Sequence, residues 1–386
     1  MNPTSNTGSF SLFAYPFRIF FLSTALWAVV GMVLWITQIS GLAALPLHGT
    51  GLLWHRHEML FGLVNPAIAG FLLTAVCVWT QTERLHGLPL IGLWLVWLAG
   101  RLVWFSGEAL PDAFVNGLNL LFLPLVMLDA GRRIIPSRQT RQYPILGVLA
   151  GLWLGQFAVL TQPGSVASEA VMVLLLMLML IIGGRITPSF SDNWLKQQGQ
   201  EAASLTLPYL EKVLLPLMAV LVVSLILLPA ATPLLAATAG VITLTRVVLW
   251  KGWRTRDEPL LWSLHLGMLW IPAALFLLAG GKAGWWNPLV WLHAAGAGAA
   301  AGLILAVMTR VSLGHTGRPL RLPSGLALAY KALFIAALFR VLAGLGVVPY
   351  LSSLTLAASL WCSAFVIFLL RYSTILCTPR ADGRPG

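Results

Sequence analysis

The residues of this sequence best suited to chemistry are histidines in apolar surroundings. Four of its seven histidines lie in or beside apolar stretches, namely His55, His57, His265 and His293. A lone buried histidine is usually a hydrogen-bonded structural residue, but imidazole also binds metal ions and the iron of haem. Because these histidines occur as a group, the sequence predicts a metal or haem site.

Two of these histidines and an acid open the second apolar stretch, as His55-Arg56-His57-Glu58. Each residue of a helix turns by about 100°, so His55 and His57 point about 200° apart if both are helical. They face one centre only if the helix begins after His55. Glu58 could orient an imidazole, transfer protons, or act as an ordinary carboxylate at a helix start. We take Glu58 as the candidate catalytic residue for proton transfer.

The tenth apolar stretch carries His293, and residues 294–302 that follow it are all Ala or Gly. Such a surface permits either close helix packing, as in the pattern Gly298-x-x-x-Gly302, or space for a flat macrocycle. His57 lies at a similar predicted depth and is also followed by small residues. A haem between these two helices is therefore one prediction, and tight helix packing is the alternative.

His265 lies towards the opposite end of its own stretch, too far along the membrane to share a centre with His57. It binds a second metal or is structural. The ligand candidates are therefore His57 and His293 first, then His265 and His55. Two histidines on one iron suit electron transfer, whereas one histidine and an open position suit gas chemistry.

Several further charged residues fall inside apolar stretches, where an unpaired charge is costly. Structural ion pairing is the default expectation and a proton path is the alternative. These residues are Glu169, Glu211, Arg101, Arg246, Lys331 and Arg340.

The composition indicates which elements must position these side chains. Only 9% of the 386 residues are charged and 58% are hydrophobic, whereas soluble proteins carry about 25% charged residues. This excludes a soluble enzyme and predicts an all-α polytopic membrane protein, with residues 1–386 as a single integral-membrane domain and short tails. About 20 apolar residues cross a bilayer, which gives about twelve transmembrane helices at 17–39, 57–79, 88–105, 113–131, 143–161, 166–184, 208–228, 234–250, 260–280, 286–309, 326–346 and 350–370.

The net charge of +12 is distributed asymmetrically along the chain. If the N-terminus lies inside, 16 basic residues fall in cytoplasmic loops and the C-terminal tail, and only Arg56 and Lys282 fall on the other side. This positive-inside asymmetry predicts that both termini are cytoplasmic. It also accounts for the excess of positive charge, so we expect no nucleic-acid partner.

Three segments together resemble the NnrS proteins, from about residue 10 to 370. The segments are His55-x-His57-Glu58-Met59-Leu60-Phe61-Gly62, Arg185-Ile186-Thr187-Pro188-Ser189-Phe190, and residues 306–318 with Gly314-His315-Thr316-Gly317-Arg318. The resemblance implies a twelve-helix protein of the bacterial inner membrane, associated with denitrification and resistance to nitric oxide. Members are described as binding haem, and copper is also reported.

Carried over residue by residue, the resemblance implies His55, His57, His265 and His293 as ligand candidates. Arg56 stands where a small residue is expected, and its cation could pair with a haem propionate. Two further cofactor-binding candidates, His315 and Arg318, could anchor either a loop or the propionates of a second haem.

The leading functional prediction is haem-dependent reduction of nitric oxide, which couples two molecules to nitrous oxide with one or two b-type haems; whether copper binds as well is left open. The three cysteines form no C-x-x-C-H haem-attachment motif and no soluble domain is evident, so quinol or a separate donor must supply electrons.

Two alternatives stay open at this stage. A secondary transporter also has twelve helices, interrupted segments such as Asn65-Pro66 and buried charges, and it would show no haem absorption. A haem or copper protein that binds or senses nitric oxide without turnover would contain haem but would not consume the gas continuously.

Overall fold

The chain folds as a bundle of membrane-spanning helices. The computed structural model describes residues 11–162 and 164–384, so the first ten residues of the predicted N-terminal tail lie outside the described part. The described regular structure is entirely helical. Twelve helices are long and apolar enough to cross a membrane: α1 Pro16–Ile39, α2 Gly51–Thr80, α3 Gly87–Ser106, α4 Asp112–Ile134, α5 Thr140–Thr161, α6 Val166–Gln197, α7 Pro208–Leu227, α8 Pro229–Leu249, α9 Pro259–Lys282, α10 Val290–His315, α11 Leu326–Gly344 and α12 Tyr350–Cys377. The predicted fold class is confirmed.

Some helices extend beyond the apolar stretches that predicted them. Helix α2 begins at Gly51 rather than at residue 57, because the Thr50 hydroxyl caps it by accepting a hydrogen bond from the Leu53 amide at 3.2 Å. Helices α6 and α12 continue past residues 184 and 370. A charged residue ends an apolar window, but it need not end a helix. The early start of α2 matters most, since it places His55 within the helix.

The central helices are α2 and α10. In the most apolar part of each, 72% of the residues are buried, against 28% for the peripheral α7. Helix α2 packs against α1, α4 and α5, α10 packs against α9 and α11, and α6 contacts both. Twelve successive crossings return the chain to the end of the bundle where it began, which we call the terminal end. The opposite end, where α2 and α10 begin, is called the His55 end.

Each central helix contains a π-helical segment that begins directly after a histidine. In α2 the segment Glu58–Gly62 follows His57, and in α10 the segment Ala294–Ala300 follows His293. The wider turn is visible in α2, where the Leu63 amide donates to the Glu58 carbonyl at 2.8 Å. Such segments are frequent at functional sites. They direct attention to the two histidines.

Candidate functional site

A buried hydrogen-bonded network surrounds His57. Its members, here called the His57 network, are His57, Glu58, Arg101, Asn119 and Gln156, and none is more than 3% exposed. Glu58 accepts from His57 Nδ1 at 2.8 Å and pairs with Arg101 Nε at 2.9 Å. Arg101 donates to Asn119 Oδ1 at 2.7 Å. The network joins helices α2, α3, α4 and α5.

Both ring nitrogens of His57 are occupied in this network. The Gln156 amide lies 2.9 Å from His57 Nε2, and Gln156 also donates to the Asn119 carbonyl at 3.1 Å. Because the amide nitrogen is a donor, His57 Nε2 accepts and His57 Nδ1 donates to Glu58. In this arrangement neither nitrogen is open to a metal, so the network holds the imidazole as a structural or proton-bearing group.

The glycine at the end of the π segment makes room for this network. A Cβ atom on Gly62 would lie within 3.0 Å of both Glu58 Oε2 and the Trp27 indole nitrogen. The Gly62 carbonyl also accepts from Trp97 Nε1 at 3.0 Å. The absence of a side chain at this position therefore allows the carboxylate and two indoles to converge.

A second group, here called the His55 cluster, consists of His55, His293 and Arg340. Because α2 begins at Gly51, His55 and His57 are both helical and point to different sides of α2. His55 and His293 lie close enough to interact electrostatically, and Arg340 acts on both rings. The cluster therefore joins α2, α10 and α11 at the His55 end of the bundle.

The Nδ1 atoms of the two histidines make no well-formed hydrogen bond among the described residues. Both atoms are buried, and only the Leu289 carbonyl, at the start of the same helix, is close to the His293 ring. The His55 ring stacks on Trp35, with 4.0 Å between ring centroids and 12° between planes. Buried polar atoms are normally hydrogen-bonded, so these two imidazole nitrogens are candidate ligands for a metal or haem.

The cation of the cluster has no acidic partner in the described part of the chain. The Arg340 guanidinium lies over the Tyr350 ring at 5.5 Å and beside Gly344, where a Cβ would be 3.6 Å from Nη1. Two other membrane cations at this end are paired with buried carboxylates, Arg101 with Glu58 and Lys282 with Glu169, the latter at 2.8 Å. Arg340 is the exception among these three.

The cluster fits a haem better than a metal site built from protein ligands alone. Haem iron needs only one or two axial ligands from the protein, and His55 and His293 supply two imidazoles from neighbouring helices. Small residues of the α10 π segment adjoin His293, but the space beside Gly298 and Gly302 is filled by Trp270 and Phe334, as in the close-packing alternative. Across residues 11–162 and 164–384, no group of three or more His, Cys, Asp or Glu side chains is placed to hold a metal ion. The residues present thus suit haem.

His265 lies apart from both groups, towards the terminal end of α9. Its Nε2 atom is 2.8 Å from the Ser191 hydroxyl of α6, and its buried Nδ1 atom has no partner among the described residues. The ring occupies the space that a side chain on Gly252 would need. A single histidine with a hydroxyl partner brings no second protein ligand to a metal.

His315 and Arg318 lie at the terminal end, on the far side of the bundle from the His55 cluster. The backbone there holds the segment after α12, since Ala381 donates to the Thr316 carbonyl at 2.9 Å and Arg380 to the His315 carbonyl at 2.8 Å. Arg318 donates to the Thr378 hydroxyl at 3.1 Å. The geometry matches the loop-anchor alternative for this motif.

A charge pair completes this anchor outside the membrane-spanning helices. Arg380 pairs with Asp382 at 2.6 Å, and the hydrogen bond from Arg380 lowers the pKa of Asp382 to about 2. Asp382 therefore carries its charge at ordinary pH. Its position beside Gly317, which has a φ of +68°, explains why that turn has no side chain.

The remaining candidates have ordinary partners. Arg56 donates to the Gly164 carbonyl at 2.5 Å, which ties α2 to the connection between α5 and α6. Arg246 forms a two-pronged ion pair with Glu211, with Arg246 Nη2 and Glu211 Oε2 2.6 Å apart. Lys331 is exposed on α11. The default expectation of ion pairing thus holds for Glu169, Glu211, Arg101 and Arg246.

Two residues of the His57 network, and one residue that contacts the His55 cluster, were not predicted from the sequence. Asn119 and Gln156 are single amide side chains in apolar stretches, so the rule that identified the histidines would have found them. Trp35 carried no such signal, because a tryptophan near a helix end is also typical of an interfacial belt. Its stacking on His55 depends on tertiary structure.

Two comparisons bear on the whole chain. The family model described as "NnrS: NnrS protein" matches residues 11–380, nearly the full length of the sequence. No curated protein matches the chain.

Proposed function

The chain belongs to the NnrS family, which is linked to nitric oxide metabolism, and we propose that it reduces nitric oxide at a haem bound by the His55 cluster. One observation carries this proposal: His55 and His293 lie at the same end of the bundle, and Nδ1 of each is buried without a well-formed hydrogen bond among the described residues. Unpartnered imidazoles in a membrane protein are expensive unless a ligand satisfies them.

The proposed reaction joins two nitric oxide molecules with two electrons and two protons to give nitrous oxide and water. A b-type haem, when bound, supplies a redox-active iron that binds the gas. The electrons come from quinol or another membrane donor. The protein must therefore hold the haem, admit an apolar gas and deliver protons.

Binding is the role of the two unpartnered histidines. His55 comes from α2 and is oriented by its stack on Trp35. His293 comes from α10, one residue before the π segment with its small side chains. Either imidazole, or both, would ligate the iron, and the choice decides whether a coordination position stays open for gas.

Proton delivery is the role proposed for Glu58 and His57. Glu58 Oε1 and His57 Nδ1 share a proton across 2.8 Å in a fully buried setting. Glu58 is also paired with Arg101, so a cation lies beside its carboxylate. The two residues adjoin His55 in sequence, although His57 faces a different side of α2, so protons would have to pass around the helix to reach the haem.

Gas access is served by an apolar cleft between α2, α6 and α10. The cleft has a volume of about 720 Å³ including the open space at its mouth, and its lining includes Val64, Leu175 and Leu303. The lining consists of apolar side chains and one glycine. Apolar cavities stay free of water and take up small apolar guests. Nitric oxide dissolved in lipid could therefore enter the bundle sideways.

We place the protein in the bacterial inner membrane with both termini in the cytoplasm. This orientation is supported by the charge asymmetry of the sequence. The His55 cluster then lies in the outer half of the membrane.

The experiment that tests this function uses detergent-purified protein from haem-sufficient cells. An absorption spectrum and metal analysis, taken before and after addition of nitric oxide, should show a haem Soret band that shifts with the gas. With an added reductant, the protein should consume nitric oxide continuously and release nitrous oxide measurable by gas chromatography. A colourless, metal-free preparation would exclude the haem, and a haem spectrum without nitrous oxide would favour gas binding without turnover.

A further inference from the structure

We propose that the Arg340 guanidinium binds a propionate carboxylate of the haem and so fixes its orientation between α2, α10 and α11. This inference rests on the proposed function, because it concerns the same haem. It adds a third helix to the site and assigns the propionate to Arg340 rather than to Arg56, the cation that the sequence offered for it.

The first feature that supports this role is the charge of Arg340. A cation within a membrane-spanning helix normally pairs with an acid or faces a functional cavity. Arg101 and Lys282 have buried carboxylate partners at this end of the bundle. Arg340 has none among the described residues, and its nearest aromatic contact is Tyr350. The His55 cluster therefore has an uncompensated positive charge.

The second feature is the position of Arg340. Arg340 Nη1 lies beside Gly344 of α11, and the same glycine faces Val290, which is one helical turn before His293. The guanidinium thus lies at the junction of α11 and α10. Its electrostatic effect reaches both His55 and His293. A ligand bound by these imidazoles would bring its periphery next to Arg340.

The third feature is the kind of anion that a guanidinium binds. A guanidinium presents parallel N–H donors that match the two oxygens of a carboxylate. A haem of the b type carries two carboxylate side chains at one edge, whereas its opposite edge is apolar. Arg340 lies near the bundle end and the side chains deeper along α10 are apolar, which fits that polarity. The haem edge with its propionates would then face the His55 end.

Arg340 suits this role better than the other basic residue nearby. Arg56 follows His55 directly, but its Nη1 atom donates to the Gly164 carbonyl at 2.5 Å. Its side chain is thereby directed to the connection between α5 and α6, away from α10 and α11. Arg340 has no competing carbonyl or carboxylate partner in the described structure.

The test compares haem and its dimethyl ester, in which the propionates are uncharged, in the wild type, Arg340→Gln and Arg340→Lys. Haem dissociation is measured by transfer to an excess of apomyoglobin. We expect roughly tenfold faster haem loss in Arg340→Gln, as for removal of one charge-assisted hydrogen bond, and a lower midpoint potential because a cation beside the iron is lost. Arg340→Lys should fall between. Lys331→Gln, which removes an exposed cation from the same helix, is the matched control.

The esterified haem separates propionate binding from a general loss of structure. In the wild type the ester should dissociate about tenfold faster than haem, whereas in Arg340→Gln the two should dissociate at similar rates. Equal ester effects in both proteins would overturn the inference and leave the haem site intact. A wild-type protein that binds no haem would instead overturn the proposed function. If Arg340 serves a lipid phosphate, haem dissociation and the midpoint potential will not change in Arg340→Gln.

Discussion

Two histidines separated by a single residue on α2 have opposite surroundings. His57 belongs to a network in which both ring nitrogens, the Glu58 carboxylate and the Arg101 guanidinium have partners. His55 belongs to a cluster in which two buried ring nitrogens make no well-formed hydrogen bond, and in which the half-buried cation lies over the Tyr350 ring with no carboxylate partner among the described residues. Satisfied polar groups give rigidity, whereas unsatisfied ones need a ligand. The contrast suggests that α2 is fixed by one histidine and presents the other.

The contrast also explains how a weakly amphipathic helix keeps a defined rotation. Apolar side chains alone do little to fix the rotation of a helix in a membrane, because lipid is as apolar as the neighbouring helices. The His57 network ties α2 to α3, α4 and α5 by hydrogen bonds and an ion pair. These bonds hold His55 on the side that faces α10 and α11.

The largest expected effect is on haem content. His55→Ala or His293→Ala should reduce bound haem at least tenfold, because a coordinating imidazole is lost. His57→Ala should keep most of the haem, since its ring is occupied by Glu58 and Gln156. Haem per protein is measured by the pyridine haemochrome spectrum. Loss of haem in His57→Ala with retention in His293→Ala would reverse the roles of the two regions.

The next effect is on stability. Arg101→Met leaves the Glu58 carboxylate buried without its cation and should cost about 3–5 kcal/mol, with little loss from the double variant that also carries Glu58→Gln. Arg256→Met is the control, because Arg256 and Asp257 are both 82% exposed and their pair is worth less than about 1 kcal/mol. Denaturation in mixed micelles measures both. Equal losses in Arg101→Met and Arg256→Met would show that the network is not structural.

A smaller change tests the space around the network. Gly62→Ala places a methyl group within 3.0 Å of Glu58 and Trp27, and such crowding typically costs about 1–3 kcal/mol. Gly92→Ala in α3 is the matched control, since nothing lies within 4 Å of its added methyl group, and it should be neutral or stabilising by up to about 1 kcal/mol. Thermal unfolding followed by a thiol-reactive dye reports both. Identical melting temperatures would contradict the tight packing at Gly62.

The smallest effect concerns the orientation of His55. Trp35→Leu removes the ring stacked on His55, and aromatic pairs contribute about 0.5–1.5 kcal/mol beyond their burial. We therefore expect a few-fold increase in the rate of haem loss without loss of folding. Trp285→Leu, at a side chain that is 75% exposed, should leave that rate unchanged. A change of equal size in both variants would point to a general effect on the membrane interface.

Hydropathy and charge predicted the twelve helices well, because crossing a bilayer imposes both a length and an apolar composition. The start of α2 was predicted too late, since a hydroxyl cap at Thr50 and a turn containing Trp54 and His55 do not raise hydropathy. That difference decides which way His55 points. Depth along the membrane was readable from the sequence, and it ranked His57 with His293. The rotation of α2 about its axis could not be predicted from the sequence, and this rotation places His55 and His57 on different sides of the helix.

For Arg340 too, the sequence identified the residue but not its surroundings. The sequence identified it as a charge in an apolar stretch, together with residues such as Arg246. Whether such a cation has a partner depends on which helices are neighbours, and short connections do not specify this for twelve helices. Arg246 pairs with Glu211, whereas Arg340 lies over the Tyr350 ring and acts electrostatically on two imidazoles.

The π segments of α2 and α10 have a consequence for how this fold tolerates insertions and deletions. A residue accommodated in a wider turn changes the angular phase between the two parts of a helix by about 100°. Deleting one residue within 58–62 would leave the deeper apolar half seated among its neighbours while turning His55 and His57 together out of alignment. The wider turn therefore sets the rotation of the part of α2 that carries the histidines relative to the part that packs among its neighbours. Deleting a single residue would be enough to change that rotation.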